Sequence, residues 1–226
     1  MRGLFVTGTD TGVGKTVVAA AICVALRARS ERVAAFKPVV TGLDTPSLPG
    51  WPHDHALLAA ATGGDPERVA PYRFGPAASP HLAAELSGQR IHPPTLLAAA
   101  RLAGEAGPLI VEGVGGLLVP LAADYAVADF IADLGLPLVV VAYPGLGTIN
   151  HTLLTLQAAR ARALRVAAVV MTPWPAKPSA VERSNRETIE RLGTCPVAGL
   201  AQIERADPAL LVAAAACLPF DSWFAR

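Results

Sequence analysis

The run Gly8-Thr9-Asp10-Thr11-Gly12-Val13-Gly14-Lys15-Thr16 places a lysine and a hydroxyl directly after a glycine. In such a run the backbone N–H groups wrap a phosphate, the lysine neutralises its outer oxygens and the threonine hydroxyl ligates Mg²⁺. Apolar Leu4-Phe5-Val6 precedes it and helix-forming Val17–Leu26 follows it. A helix N-terminus there adds partial positive charge at the phosphate. The run therefore reads as a phosphate-binding loop, with Gly12, Val13, Gly14, Lys15, Thr16 and Val17 on the nucleotide. It departs from the strict G-x-x-x-x-G-K-[ST] pattern, because the first glycine is Gly8 where the pattern expects it at Thr9.

Three charged residues lie where a second half of such a site is expected. Glu112 ends the apolar run Leu109-Ile110-Val111 and precedes Gly113-Val114-Gly115-Gly116. A carboxylate at that place can hold Mg²⁺ beside phosphates while the glycines admit close backbone approach; the plainer reading is a solvated acid at a strand end. Lys37 follows Val33–Phe36 and precedes Pro38. It reads either as a rim cation or as a second positive group for the transferred phosphoryl. Asp54 stands near a helix start, where an aspartate serves equally well as a cap. Gly147-Thr148-Ile149-Asn150 opens a helix whose free N–H groups suit a carboxylate, though an ordinary N-cap explains it alone. The five histidines show no metal-ligand spacing, and Trp51, Trp174 and Trp223 identify nothing by themselves.

The elements that must position these residues alternate. Strands are expected at Leu4–Thr7, Val33–Val39, Leu109–Glu112, Leu138–Ala142, Val166–Met171 and Val197–Leu200. Helices are expected at Lys15–Arg29, Asp54–Ala61, Ser79–Leu86, Thr95–Glu105, Ala126–Leu134, Asn150–Ala163, Val181–Leu192 and Ala209–Cys217. Thr41–Pro52 and Thr172–Ser179 read as loops, the first of them mobile. Apolar strands alternating with helices predict an α/β fold, a mostly parallel central sheet with helices on both faces. Ligands then sit beyond the carboxyl ends of the strands, which is where Lys15, Lys37 and Glu112 fall.

The 226 residues are 52% hydrophobic and 16% charged, enough for a single domain over 1–226 with a sizeable core. A net charge of +1 argues mildly against a nucleic-acid-binding surface, while leaving room for a local basic patch. Cys23, Cys195 and Cys217 are too scattered for a disulfide framework or a metal cluster and suit a reducing compartment. The first strand begins almost at the N-terminus, and no apolar stretch is long enough for a membrane helix, so a cytoplasmic protein is expected.

Taken together, five stretches resemble the dethiobiotin synthetase family. They are Val6–Thr16, Lys37-Pro38-Val39-Val40-Thr41-Gly42, Ser79-Pro80-His81, Val111–Gly116 and Leu146–His151. They follow the family's order, and the early Gly8 is itself a family trait. The resemblance implies a P-loop NTPase-like fold and an ATP-dependent cyclo-ligase of biotin biosynthesis. Its substrates are 7,8-diaminononanoate, CO₂ or bicarbonate, and ATP or another nucleoside triphosphate, with Mg²⁺. One amine takes up CO₂ as a carbamate, the carbamate attacks the γ-phosphate, and the second amine closes the ureido ring. Residue by residue, the resemblance implies that Thr16, Asp54 and Glu112 hold Mg²⁺ and that Lys37 and Lys15 are catalytic. Gly113, Val114 and Gly115 join the nucleotide site. Thr41, Ser79 and Pro80 contact the substrate, and Gly147, Thr148, Ile149 and Asn150 take its carboxylate tail. That tail site comes from the partner subunit, so a homodimer is implied.

After His151 the match weakens. Many family members carry an adenine-reading asparagine where this chain has Thr172, and a proline-containing segment where it has Leu200-Ala201-Gln202. With the paired donor and acceptor gone, looser base recognition is expected. A different class shares the architecture: nucleotide-switch ATPases of the partition or septum-site type. Those usually carry an early loop lysine where Asp10 stands here, and they need a DNA- or membrane-binding surface. Cobyrinate-type relatives would need a further glutaminase domain, for which 226 residues leave no space.

Overall fold

Residues alternate between two apolar layers along the strands, and this is what makes the centre of the protein a sheet covered on both sides. In the first strand Leu4 and Val6 face one core and Phe5 the other; along Leu138–Ala142, Val139 and Val141 face the first core while Leu138, Val140 and Ala142 face the second. With both faces buried, a strand needs no polar positions, which is why these segments read as unbroken apolar runs.

The computed structural model describes residues 1–224. Its elements are β1 (Gly3–Gly8), α1 (Lys15–Ala28), β2 (Ala34–Phe36), β3 (Val39–Val40), α2 (Asp54–Thr62), α3 (Pro66–Val69), β4 (Tyr72–Arg73), α4 (Pro80–Leu86), α5 (Pro93–Ala103), β5 (Leu109–Gly116), β6 (Pro120–Ala122), β7 (Tyr125–Ala126), α6 (Val127–Leu134), β8 (Leu138–Ala142), α7 (Thr148–Ala161), β9 (Val166–Trp174), α8 (Ala180–Gly193), β10 (Val197–Ala201) and α9 (Pro208–Ala215). Six strands form one parallel sheet in the order β10-β9-β8-β1-β5-β2. Helices α1, α2 and α9 supply one apolar layer, and α4 through α8 supply the other. In the second layer Phe5 and Phe130 meet edge to face at 6.0 Å, a geometry worth about 1 kcal/mol beyond the area it buries. Among the described residues no helix is long and apolar enough to cross a membrane.

Some boundaries differ from expectation, each for a local reason. The second strand does not run through to Val39. Pro38 lacks an N–H, and the Lys37 N–H turns away to bond the Val69 carbonyl, so the chain leaves the main sheet and restarts as β3 beside β4. Strand β5 continues through the glycines to Gly116, and β9 continues through Thr172 to Trp174, where a loop was expected. The short helix α3 and the β6–β7 hairpin were not anticipated. The first is set by Asp65 accepting the Glu67 N–H ahead of Pro66. Helix α7 starts at Thr148 after a left-handed Gly147, so neither Thr148 nor Asn150 is its cap. Ser79 precedes α4 as expected, but its side chain makes no cap bond.

Candidate active site

The phosphate loop links the C-terminal end of β1 to α1. A Cβ on Gly8 would lie 2.7 Å from Val13 Cγ2 and 3.1 Å from Lys15 Cδ, so only glycine lets the loop fold back over its own start. That gives the early glycine a steric reason. Gly14 sits at φ 97°, and a Cβ there would come within 2.6 Å of Thr172 Cγ2. Lys15 lies buried along the loop, its Nζ donating to the Asp10 carbonyl at 2.8 Å.

Lys37, Asp54 and Glu112 converge beside the loop. Lys37 Nζ lies 2.6 Å from Glu112 Oε1 and 2.9 Å from Asp54 Oδ2, and donates also to the Gly113 carbonyl at 3.3 Å. Thr16 Oγ1 donates to the same Glu112 oxygen at 2.9 Å. Neighbouring strands position the buried pair, Glu112 midway along β5 and Lys37 just past the end of β2. Asp54, the first residue of α2, brings a half-exposed carboxylate from the far side of the Thr41–Pro52 loop. An isolated buried ammonium costs several kcal/mol, so the two carboxylates decide that Lys37 stays charged. Burial alone would lower the Lys37 pKa, but Glu112 and Asp54 outweigh it and raise it. Glu112 goes the other way: burial, helped by Asp54, lifts its carboxyl above the usual range against the pull of Lys37 and Lys15. Burial would also lift Asp54, yet Lys37 and Thr16 hold it below that range. Lys15 is lowered, chiefly by burial.

These groups line a cavity of about 850 Å³. Of the sequence-predicted residues, Gly12, Gly14, Lys15, Thr16, Val17, Lys37, Thr41, Asp54, Ser79, Glu112, Val114 and Gly115 line it. Val13, Gly113 and Pro80 are buried and are not part of that lining. The late residues are not brought to it. Thr172 is buried against the phosphate loop, Leu200 has its side chain wholly in the core, and Gln202 is exposed. Ala201 lines a separate groove with Trp174 and Cys217. Gly147 and Asn150 are exposed and Ile149 half-buried, outside the cavity and next to Leu146, which is 98% exposed. Thr148 is buried, its hydroxyl 3.4 Å from that of Thr152.

The sequence reading missed the apolar part of the lining: Val39, Leu48, Trp51, Leu57 and Val119. Trp51 carried the one usable signal, a large aromatic between Gly50 and Pro52 in a polar loop.

The donor set suits Mg²⁺. Thr16, Asp54 and Glu112 offer hard oxygen ligands, and among the described residues the buried Glu112 Oε2 has no partner. No three His, Cys, Asp or Glu side chains form a cage among the described residues. Mg²⁺ needs none, since it usually takes one or two carboxylates together with phosphates.

A family model described as an AAA domain matches residues 2–207. Two solved structures share the fold at low identity. The ParA family ATPase from Chlorobium tepidum is 14% identical with a TM-score of 0.55, covering 98% of this chain and 94% of that one. The MinC:MinD cell division protein complex of Aquifex aeolicus gives 12% and 0.57, covering 90% of this chain and 83% of that one. Sequence relatives are much nearer. The ATP-dependent dethiobiotin synthetase of Anaeromyxobacter dehalogenans (strain 2CP-1) is 48% identical over 76% of this chain and 76% of its own length. That of Bacillus subtilis (strain 168) is 37% identical over 88% and 87%. With that identity over most of both chains, and a phosphate loop, a buried lysine and two carboxylates assembled in one cavity, the chain belongs to the ATP-dependent dethiobiotin synthetase family.

Proposed function

We propose that the chain closes the ureido ring of dethiobiotin from 7,8-diaminononanoate, CO₂ and ATP. The observation that carries this reading is Lys37 Nζ, shared between Glu112 and Asp54 within reach of the phosphate loop. Transfer from ATP to a carbamate brings two anions together, and preorganised cations supply most of the help such a step receives. Lys37 is a fixed positive charge at that meeting point. When carbamate and γ-phosphate arrive, its ammonium can turn to them while Glu112 and Asp54 keep it protonated. Lys15 neutralises the outer phosphates. Its desolvated ammonium now rests on the Asp10 carbonyl, a neutral partner that a phosphate readily displaces. Thr16, Asp54 and Glu112 would hold Mg²⁺, which when bound would neutralise charge on the phosphates. Thr41 and Ser79 contact the diamine, and the apolar lining accompanies its alkyl chain.

Residues 1–226 are taken as one domain acting as a homodimer. Gly147–Asn150, beside the exposed Tyr143 and Leu146, receives the carboxylate tail of the substrate held in the partner's cavity. With Thr172 turned onto the loop and Gln202 outside the cavity, base choice is relaxed and other nucleoside triphosphates serve nearly as well as ATP. Phosphate release measured with ATP, bicarbonate and diaminononanoate tests the core of the reading. Release should require the diamine. Hydrolysis at the same rate without it would overturn the ligase assignment in favour of a nucleotide switch.

A further inference from the structure

Two loops that meet above the phosphate loop are pinned together through one aromatic residue. Trp51 Nε1 donates to the Glu204 carbonyl at 3.2 Å, and the Ala206 N–H donates to the Gly50 carbonyl at 2.9 Å. Gly50, at φ 77°, lets the chains approach, since a Cβ there would lie 3.3 Å from Arg205 Cβ. Trp51 packs on the same apolar layer as Val17, Ile203 and Ala206, and Trp51 and Val17 both line the cavity. The indole is thus fixed at its N–H edge and still presents surface to the cavity.

The direction of a bound triphosphate says what meets that surface. Lysine in such a loop reaches the β- and γ-phosphates, and the backbone cradles the α- and β-phosphates. The γ end therefore faces Lys15 and Lys37, and the nucleoside leaves from the start of α1, where Val17 lies. We propose that Trp51 is the wall on which the nucleoside rests, its N–H edge held by the loop after β10. This rests on the ATP-dependent reading above but not on the identity of the second substrate. A planar ring accepts any base by its π-face without a hydrogen-bond code, so the contact adds affinity and not base choice.

The test compares ATP with inorganic tripolyphosphate, which has the phosphates and no nucleoside, by equilibrium binding with Mg²⁺ to the full chain. Losing one base–aromatic contact weakens binding about tenfold. Trp51→Ala should therefore weaken ATP by about that factor while leaving tripolyphosphate within about twofold, and Trp51→Phe should recover most of the loss. CTP and GTP should weaken alongside ATP. If both ligands weaken together, Trp51 merely supports the phosphate loop and the inference fails. It fails also if neither moves, or if the wild type binds tripolyphosphate as tightly as ATP. Should Trp51→Ala not fold, Trp51→Leu keeps the apolar bulk without the flat ring and is read the same way. A wild type that binds neither ligand would instead sink the ATP-dependent reading itself.

Discussion

The two ends of the nucleotide site are built on opposite principles. At the phosphate end, charged side chains from four separate segments cross-brace one another: Lys37 to Glu112 and Asp54, Thr16 to Glu112, Lys15 to the loop backbone. At the β9–β10 end the same sheet edge offers packing instead. Thr172 lays a methyl on Gly14, Leu200 is buried in the core, and Gln202 faces solvent. The difference lies in what each end must discriminate. Developing charge needs preorganised ions at fixed places, whereas a base that need not be read needs only surface. On the reading proposed above, the chemistry is held rigidly while the choice of nucleotide is left loose.

Three experiments sharpen or break that contrast, in decreasing order of effect. Lys37→Ala removes the central cation, and removing one such transition-state donor costs on the order of a hundredfold or more in turnover. ATP affinity should stay within about threefold, because the loop backbone holds the phosphates. Near-wild-type ring closure would show that the phosphate end does not depend on this ion. Glu112→Gln leaves a buried ammonium with one carboxylate, and breaking a buried pair costs about 3 kcal/mol. For a chain of this size the unliganded midpoint should drop by roughly 6–12 °C in thermal unfolding. An unchanged midpoint would mean that Asp54 alone suffices and the cross-bracing is not structural. The smallest effect belongs to the other end: on the proposed reading the base meets no paired donor and acceptor, so turnover with CTP or GTP should stay within about tenfold of ATP. A preference for ATP beyond about a hundredfold would place a base-reading group at the β9–β10 end.

Much of the phosphate end was legible in the residues. Gly14-Lys15-Thr16 and the flanking strand and helix are contiguous, so local pattern suffices. Glu112 and Lys37 stood out because each closes an apolar run where a parallel sheet exposes its ligand edge. Asp54 was ambiguous for a physical reason: an aspartate opening a helix looks the same whether it serves the helix or a neighbour 17 residues back, and here it reaches Lys37. The break after Phe36 was signalled by Pro38, but the Val69 carbonyl that takes the Lys37 N–H was not. Trp51 was passed over because Gly50 and Pro52 beside it mark only a loop; its partner, Glu204, is 153 residues away.

The sequence by itself determined that this protein is a parallel α/β sheet with a phosphate loop, because two-sided burial and a glycine-rich turn are properties of short contiguous segments. Only the tertiary structure decided what surrounds the phosphate. The Lys37–Glu112 pair spans 75 residues, Thr172 reaches Gly14 across the sheet, and Trp51 reaches Glu204 from the opposite loop. Such contacts are set by strand order and loop path. A side chain's partners then depend on which segments the packed core brings side by side, and no spacing along the chain encodes that.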